Sequence, residues 1–193
     1  MNRVACVLAA FASFLFLWCV HEAAQAADVS RAVVLVASER LSDSPYAQTV
    51  VLATPLPEGG HIGFVLNRPT GVKLESLLPD QESSRKVVDQ VYAGGPAMRG
   101  YVFAVTRKPP AGEGTFVPLL PGLFAAMDSP AVDSLIEKSP NEARYFVGLM
   151  VWPPEVLEND VDAGTWLVRR ADAALVLPAN ASGLWKSLTG TET

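Results

Sequence analysis

The stretch His61-Ile62-Gly63-Phe64-Val65-Leu66-Asn67-Arg68-Pro69-Thr70 places the tightest limit on the fold. Ile62, Phe64 and Leu66 alternate with Gly63, Val65 and Asn67, a period of two that predicts a strand buried on both faces. The strand is expected to stop at Arg68, because Pro69 has no N–H to give a ladder and biases the residue before it towards extended geometry. Asn67 and Arg68 then stand at its carboxyl end. One carries an amide that both donates and accepts; the other carries a planar fork suited to a carboxylate or phosphate. Gly94-Gly95-Pro96 follows one supersecondary unit later.

Around this strand the chain reads as mixed. Strands are expected over 32–37 and 49–53, the second pairing as an antiparallel hairpin with the strand at Ile62. Thr70 is expected to cap a short helix over 72–78 with Leu74, Leu77 and Leu78 inward, ended by Pro79, and 80–86 reads as a surface loop. Strands follow over 90–93 and 101–106, then an exposed Pro/Gly loop over 107–114. Pro118 and Pro121 divide 116–127 into short strands. A helix runs from Ser129 to Lys138, with Pro130 at its first turn and Val132, Leu135 and Ile136 as its stripe. A buried strand over 143–152, an acidic helix from Pro154 to Asp162, strands over 166–168 and 174–177, and a helix over 181–188 complete the chain.

Half of the 193 residues are hydrophobic, enough for one domain with a substantial core. Part of that apolarity is local. Arg3 precedes a nearly unbroken apolar run from Val4 to Val20, and Ala24 and Ala26 form an A-x-A cleavage pattern. Residues 1–26 therefore read as a secretory signal peptide, with Ala27 opening a single mature domain over 27–193. The competing readings are an uncleaved anchor and lipidation at Cys19, the latter opposed by bulky Leu17 and Trp18. In each case the domain is exported, to the periplasm or beyond, and after cleavage no stable membrane span is expected.

Removing the leader removes Cys6, Cys19 and His21, so disulfides, thiolate chemistry and Cys-ligated metal are excluded within the mature domain. His61 alone remains, in what reads as a solvated turn after Gly59-Gly60. Of the chain's 15 basic and 20 acidic residues, Arg3 and Glu22 leave with the leader, so the mature net charge is still −5. Such a surface repels nucleic acid, and Arg107-Lys108 and Arg169-Arg170 are only pairs. The chain has no P-loop, G-x-S-x-G or GxGxxG motif, and no cofactor is expected.

The order of motifs resembles the YqgE/AlgH family of bacterial proteins. The matching residues are Leu41-Ser42-Asp43-Ser44-Pro45-Tyr46, Thr49-Val50-Val51-Leu52, Gly63 to Thr70, Gly94-Gly95-Pro96, Gly148, Trp152, Leu157, Trp166-Leu167-Val168 and Trp185. The resemblance spans about residues 31–190. It implies an α/β domain of the α+β type, in which a curved, mostly antiparallel sheet closes towards a β-barrel with flanking helices. It implies no established enzymatic activity; one branch takes its name from a proposed role in regulating alginate production. Members usually look cytosolic, so the leader is a departure. The family pattern Gly-Trp-x-Pro-Gly-Gln-Leu is replaced here by Val151-Trp152-Pro153-Pro154-Glu155-Val156-Leu157. A loop that relied on those glycines for positive φ is expected to change shape. A histidine that often follows the Gly-Gly-Pro strand is also absent, with Val105-Thr106 in that region.

Three sets of residues are candidate sites. Asn67, Arg68, Pro69 and Thr70 with Gly94, Gly95 and Pro96 offer amide, guanidinium and backbone N–H groups to an anionic ligand or a partner's carboxylate. The alternative is that Asn67 and Arg68 tie a neighbouring loop to the sheet while the glycines only turn the chain. Glu155, Glu158, Asp160 and Asp162 offer carboxylates to calcium or acid–base chemistry, but their spacing fits no calcium loop and their place at a helix start suits its dipole. Trp152, Trp166 and Trp185 fall at periodic apolar positions, the pattern of core packing rather than of a carbohydrate pocket. Two functional readings remain. The first is a non-enzymatic binding or regulatory module with no catalytic or metal-ligating residues, whose partner is an unknown protein or small anionic ligand. The second is a hydrolase or transferase acting on an anionic metabolite, with Arg68 stabilising charge and His61 or a buried acid as base.

Overall fold

The computed structural model describes residues 28–109, 113–178 and 181–190. The expected leader and its cleavage point lie outside the described residues. Ten strands form one strongly curled sheet, a half-barrel with helices packed against it. In chain order they are β1 (Val33–Ala37), β2 (Val50–Pro55), β3 (His61–Val65), β4 (Pro69–Lys73), β5 (Gln90–Ala93), β6 (Ala97–Thr106), β7 (Phe116–Leu120), β8 (Leu123–Ala126), β9 (Ala143–Trp152) and β10 (Trp166–Arg170). The helices are α1 (Leu74–Leu77), α2 (Ser129–Lys138), α3 (Val156–Asp162), α4 (Ala173–Val176) and α5 (Leu184–Thr189).

The main path runs β10-β1-β2-β3-β9-β6-β8-β7, and β5 joins β4 to β9. All pairs are antiparallel except β5 with β9. The apolar runs of β1, β2 and β3 are buried along both faces because each face has its own core. Val34, Val36, Leu52 and Phe64 lie on one side with Phe103 and Phe146. Leu35, Ala37, Val51 and Val65 lie on the other with Trp152, Trp166 and Leu157 of α3. A third cluster seats Val132, Leu135 and Ile136 of α2 against Ala104 and Tyr145. The Asp128 carboxylate accepts the Ala131 N–H at 3.0 Å and so caps α2.

β9 is the hub. Its end, Met150 to Trp152, pairs with β3, its middle at Phe146 and Val147 lies between β5 and β6, and its beginning pairs with β6. Gly148, at φ 68°, breaks its regular course. Three expectations change. Thr70 opens no helix: Pro69–Lys73 is an exposed edge strand, and its Thr70 hydroxyl donates to the Val91 carbonyl at 2.6 Å. The helix begins only at Leu74, and Leu77 faces outward. The apolar run at 174–177 is helical, because Asp172 Oδ1 accepts the Ala174 N–H at 2.7 Å and starts α4. Residues 80–86 contain a 3-10 turn, Glu82–Lys86, rather than loop throughout.

Candidate functional site

β3 ends at Val65, and Asn67 and Arg68 follow in the bend before β4. Both side chains turn back onto the loop that precedes β2. Asn67 Oδ1 accepts the Val50 N–H at 2.9 Å, and its Nδ2 donates to the Gln48 carbonyl at 2.8 Å. Arg68 Nη2 donates to the carbonyls of Pro45 at 3.1 Å and Ala47 at 2.8 Å and to Thr49 Oγ1 at 2.9 Å. The loop so held contains Gln48 at φ 56°, a left-handed conformation that costs a non-glycine residue about 1–2 kcal/mol.

Gly94 and Gly95 meet the same bend from the other side. The Val65 N–H donates to the Gly94 carbonyl at 2.9 Å, and the Ala93 N–H to the Arg68 carbonyl at 2.9 Å. The Gly94 N–H is taken by Val147 of β9 at 2.8 Å. A Cβ on Gly94 would lie 2.2 Å from the Gly148 carbonyl oxygen, and one on Gly95 2.2 Å from the Leu149 carbonyl carbon. Their glycine identity therefore serves strand-to-strand approach at the β9 bend. Pro96 is exposed, as are Pro69 and Thr70.

A cleft of about 350 Å³ opens beside Arg68. Ala47, Gln48, Asn67 and Arg68 wall one side; Ser182, Trp185 and Lys186 wall the other. Two of these residues are cationic and none is acidic. Gly94, Gly95 and Pro96 do not line it. Sequence reasoning missed Gln48, Ser182 and Lys186, which carry no local motif; Trp185 was singled out, though for the core.

His61 is not the solvated loop residue its preceding glycines suggest. It opens β3, is 3% exposed, and its Nε2 lies 2.9 Å from the Val29 carbonyl, so the tautomer that bonds there donates from Nε2. Nδ1 is buried without a partner. His61 opens β3 and Arg68 lies beyond its other end, with a strand about 13 Å long at the usual rise per residue between them, so no base and guanidinium converge there.

Trp152 and Trp166 are buried and meet edge to face at 6.5 Å. Trp185 is half-buried between two core clusters, and its Nε1 donates to the Ala37 carbonyl at 2.9 Å. Glu155, Glu158 and Asp162 are exposed at and along α3. Among the described residues no group of three or more His, Cys, Asp or Glu side chains is placed to hold a metal ion. Glu155, where the family pattern has glycine, adopts a left-handed backbone at φ 67°, a conformation that favours glycine. Among the described residues no helix is long and apolar enough to cross a membrane.

The half-barrel, with its asparagine–arginine clasp and glycine crossing, defines an α/β class of domain that comparison with other proteins makes specific. The sequence pattern of the AlgH-like family matches residues 34–191, and the chain belongs to that family. It is 31% identical over 157 residues to a UPF0301 protein of Myxococcus xanthus, covering 79% of this chain and 84% of that one. A UPF0301 protein of Streptomyces coelicolor is 29% identical over 159 residues, covering 80% and 82%. The solution structure of the AlgH protein from Pseudomonas aeruginosa superposes with a TM-score of 0.70 at 22% identity, over 84% of this chain and 88% of that one. A crystal structure from Corynebacterium diphtheriae gives 0.65 at 21% identity, over 85% and 87%. These likenesses establish the fold.

Proposed function

We propose that this chain is a non-enzymatic binding or regulatory module that seats the anionic group of a small ligand or a protein partner in the cleft beside Arg68. The observation that carries this reading is charge. In a chain of net charge −5, the cleft holds Arg68 and Lys186 and no carboxylate. Arg68 bonds to two carbonyls and a hydroxyl, none of which cancels its charge. Asn67 and Arg68 fix the Gln48 loop, and Ala93 and Gly94 support the cleft from behind by bonding to Arg68 and Val65 on either side of the bend. A hydrolase or transferase reading is less well supported, since His61 lies at the far end of β3 and no Asp or Glu is buried among the described residues.

Titration of isotope-labelled protein with citrate tests this by NMR. The amides of Gln48 and Ser182 are expected to shift saturably, and Lys186→Ala to weaken binding severalfold with an unchanged melting temperature. Absence of saturable shifts at these amides would refute the reading. Arg68→Ala is the poorer probe, because it also releases the loop. We further propose that the module acts after export. Intact-mass analysis of protein from separated fractions of its own host should then find a periplasmic or secreted species beginning at Ala27; a cytosolic full-length species would overturn export.

A further inference from the structure

A second cationic groove, distinct from the Arg68 cleft, lies where β9 begins. It has a volume of about 880 Å³ and is walled in part by Arg107, Lys108, Arg144 and Leu177, with Asp89 and Glu142 as its acids. Arg144 is 8% exposed, unusual for arginine. Its guanidinium lies 4.4 Å from the centre of the Tyr92 ring, and Nη2 donates to the Pro178 carbonyl at 2.9 Å. Burial raises the Tyr92 phenol above its usual value, while the Arg144 charge pulls it back.

The rest of that guanidinium is poorly satisfied. Nε and Nη1 are shut off from water and have no hydrogen-bond acceptor. Asp89 Oδ2 is 3.5 Å from Nε, which makes an ion pair but exceeds the roughly 2.7–2.9 Å of a charge-assisted hydrogen bond. Asp89 is half exposed, and its other oxygen is engaged by the Gln90 N–H at 2.8 Å. A buried guanidinium with open N–H groups bears a large desolvation cost, which a well-placed oxyanion would offset. Arg107 and Lys108, both exposed, add positive charge at the rim.

We propose that this groove is a second binding site for an oxyanion, the phosphate or carboxylate of a small metabolite, which takes the place of the Asp89 carboxylate against Arg144. Asp89 is then a loose internal stand-in. The Arg107 guanidinium, anchored by Nη2 to the Ala173 carbonyl at 3.0 Å, and the Lys108 ammonium complete the site.

Titrations with inorganic phosphate and with citrate, followed by NMR, test this and tell the two oxyanions apart. The Glu142 and Leu177 amides should shift saturably with at least one of them. Asp89→Asn keeps an acceptor for the Gln90 N–H but removes the competing charge, so it should tighten binding at least about threefold. Lys108→Ala should weaken it by a similar factor, and Lys186→Ala, in the other cleft, should leave these shifts unchanged. The proposal is overturned if neither anion moves the two amides, or if Asp89→Asn leaves the affinity the same or lower. These variants leave Arg144 in place, so the outcome does not depend on a substitution in the core. Loss of shifts at Gln48 and Ser182 alone would refute the first site and not this one.

Discussion

Replacing Glu155 by glycine should leave the protein more stable than replacing it by alanine. Glu155 precedes α3 with φ 67° and ψ −10°, and its side chain makes no capping hydrogen bond. An L-residue in that conformation is strained by about 1–2 kcal/mol, because Cβ crowds the neighbouring carbonyl. Glycine removes that strain but gains freedom in the unfolded chain, at a cost of about 0.4–1 kcal/mol. The net gain is about 0.5–1 kcal/mol. For a domain of this size that backbone gain alone corresponds to about 1–4 °C in Tm. One opposing effect has to be separated: a carboxylate near a helix N-terminus is itself favourable by about 0.3–1 kcal/mol. Glu155→Ala supplies that control, since it loses the charge and keeps Cβ. Urea denaturation of both variants at constant pH measures the difference. Glu155→Gly should exceed Glu155→Ala by about 0.5–1 kcal/mol, and a glycine variant no more stable than the alanine one would refute the strain argument.

Two further outcomes follow from buried and capping groups. The Tyr145 hydroxyl is buried without a partner, so Tyr145→Phe should be neutral or stabilising by about 1 kcal/mol in thermal denaturation. Burial also raises the Tyr145 phenol above its ordinary value of 10.0, so it stays neutral in the fold; wild-type stability should decline as pH rises past that value, less so in Tyr145→Phe. At the acid end, hydrogen bonds from Thr115 and from the Ala131 N–H hold the Asp128 carboxyl below its ordinary value of 3.8. Its contribution is therefore present above that value and lost as pH falls through the lower folded one. Asp128→Ala should cost about 1 kcal/mol at neutral pH and Asp128→Asn less, and both should flatten the acid limb of a stability–pH curve.

The sequence carried most of the sheet because β1, β2, β3 and β9 are apolar along both faces and leave no other reading. β5, β9 and α2 were expected with the bounds the structure shows. β4 escaped because all five of its residues are exposed, so it has no apolar alternation. The run at 174–177 was read as a strand because so short an apolar run fits either period, and the Asp172 cap is the signal that would have identified a helix. His61 was misplaced because Gly59-Gly60 reads as open turn, whereas a Cβ on Gly60 would come within 2.4 Å of the Trp152 carbonyl oxygen. The glycine there serves close packing.

The site was only half legible for a different physical reason. The side chains that shape both clefts are tied to main-chain oxygens: Arg68 to Pro45 and Ala47, Asn67 to Gln48, Arg107 to Ala173, Arg144 to Pro178 and Trp185 to Ala37. A carbonyl acceptor leaves no residue-type signature, so no motif marks the far partner. The same choice has an electrostatic consequence. An arginine held by carboxylates is neutralised where it stands, whereas one held by carbonyls is fixed in place and keeps its whole charge for another anion. Arg68 and Arg107 have that form, and Arg144 departs from it only through the loose Asp89 pair. The segment from α4 to α5 supplies carbonyls to one groove and walls to the other. Val176, Ala181 and Leu184 of this part of the chain are buried in the core and hold it against the sheet, while Ser182 and Lys186 at the first cleft are exposed, so the residues that would set the choice of a bound anion can change without disturbing the packing.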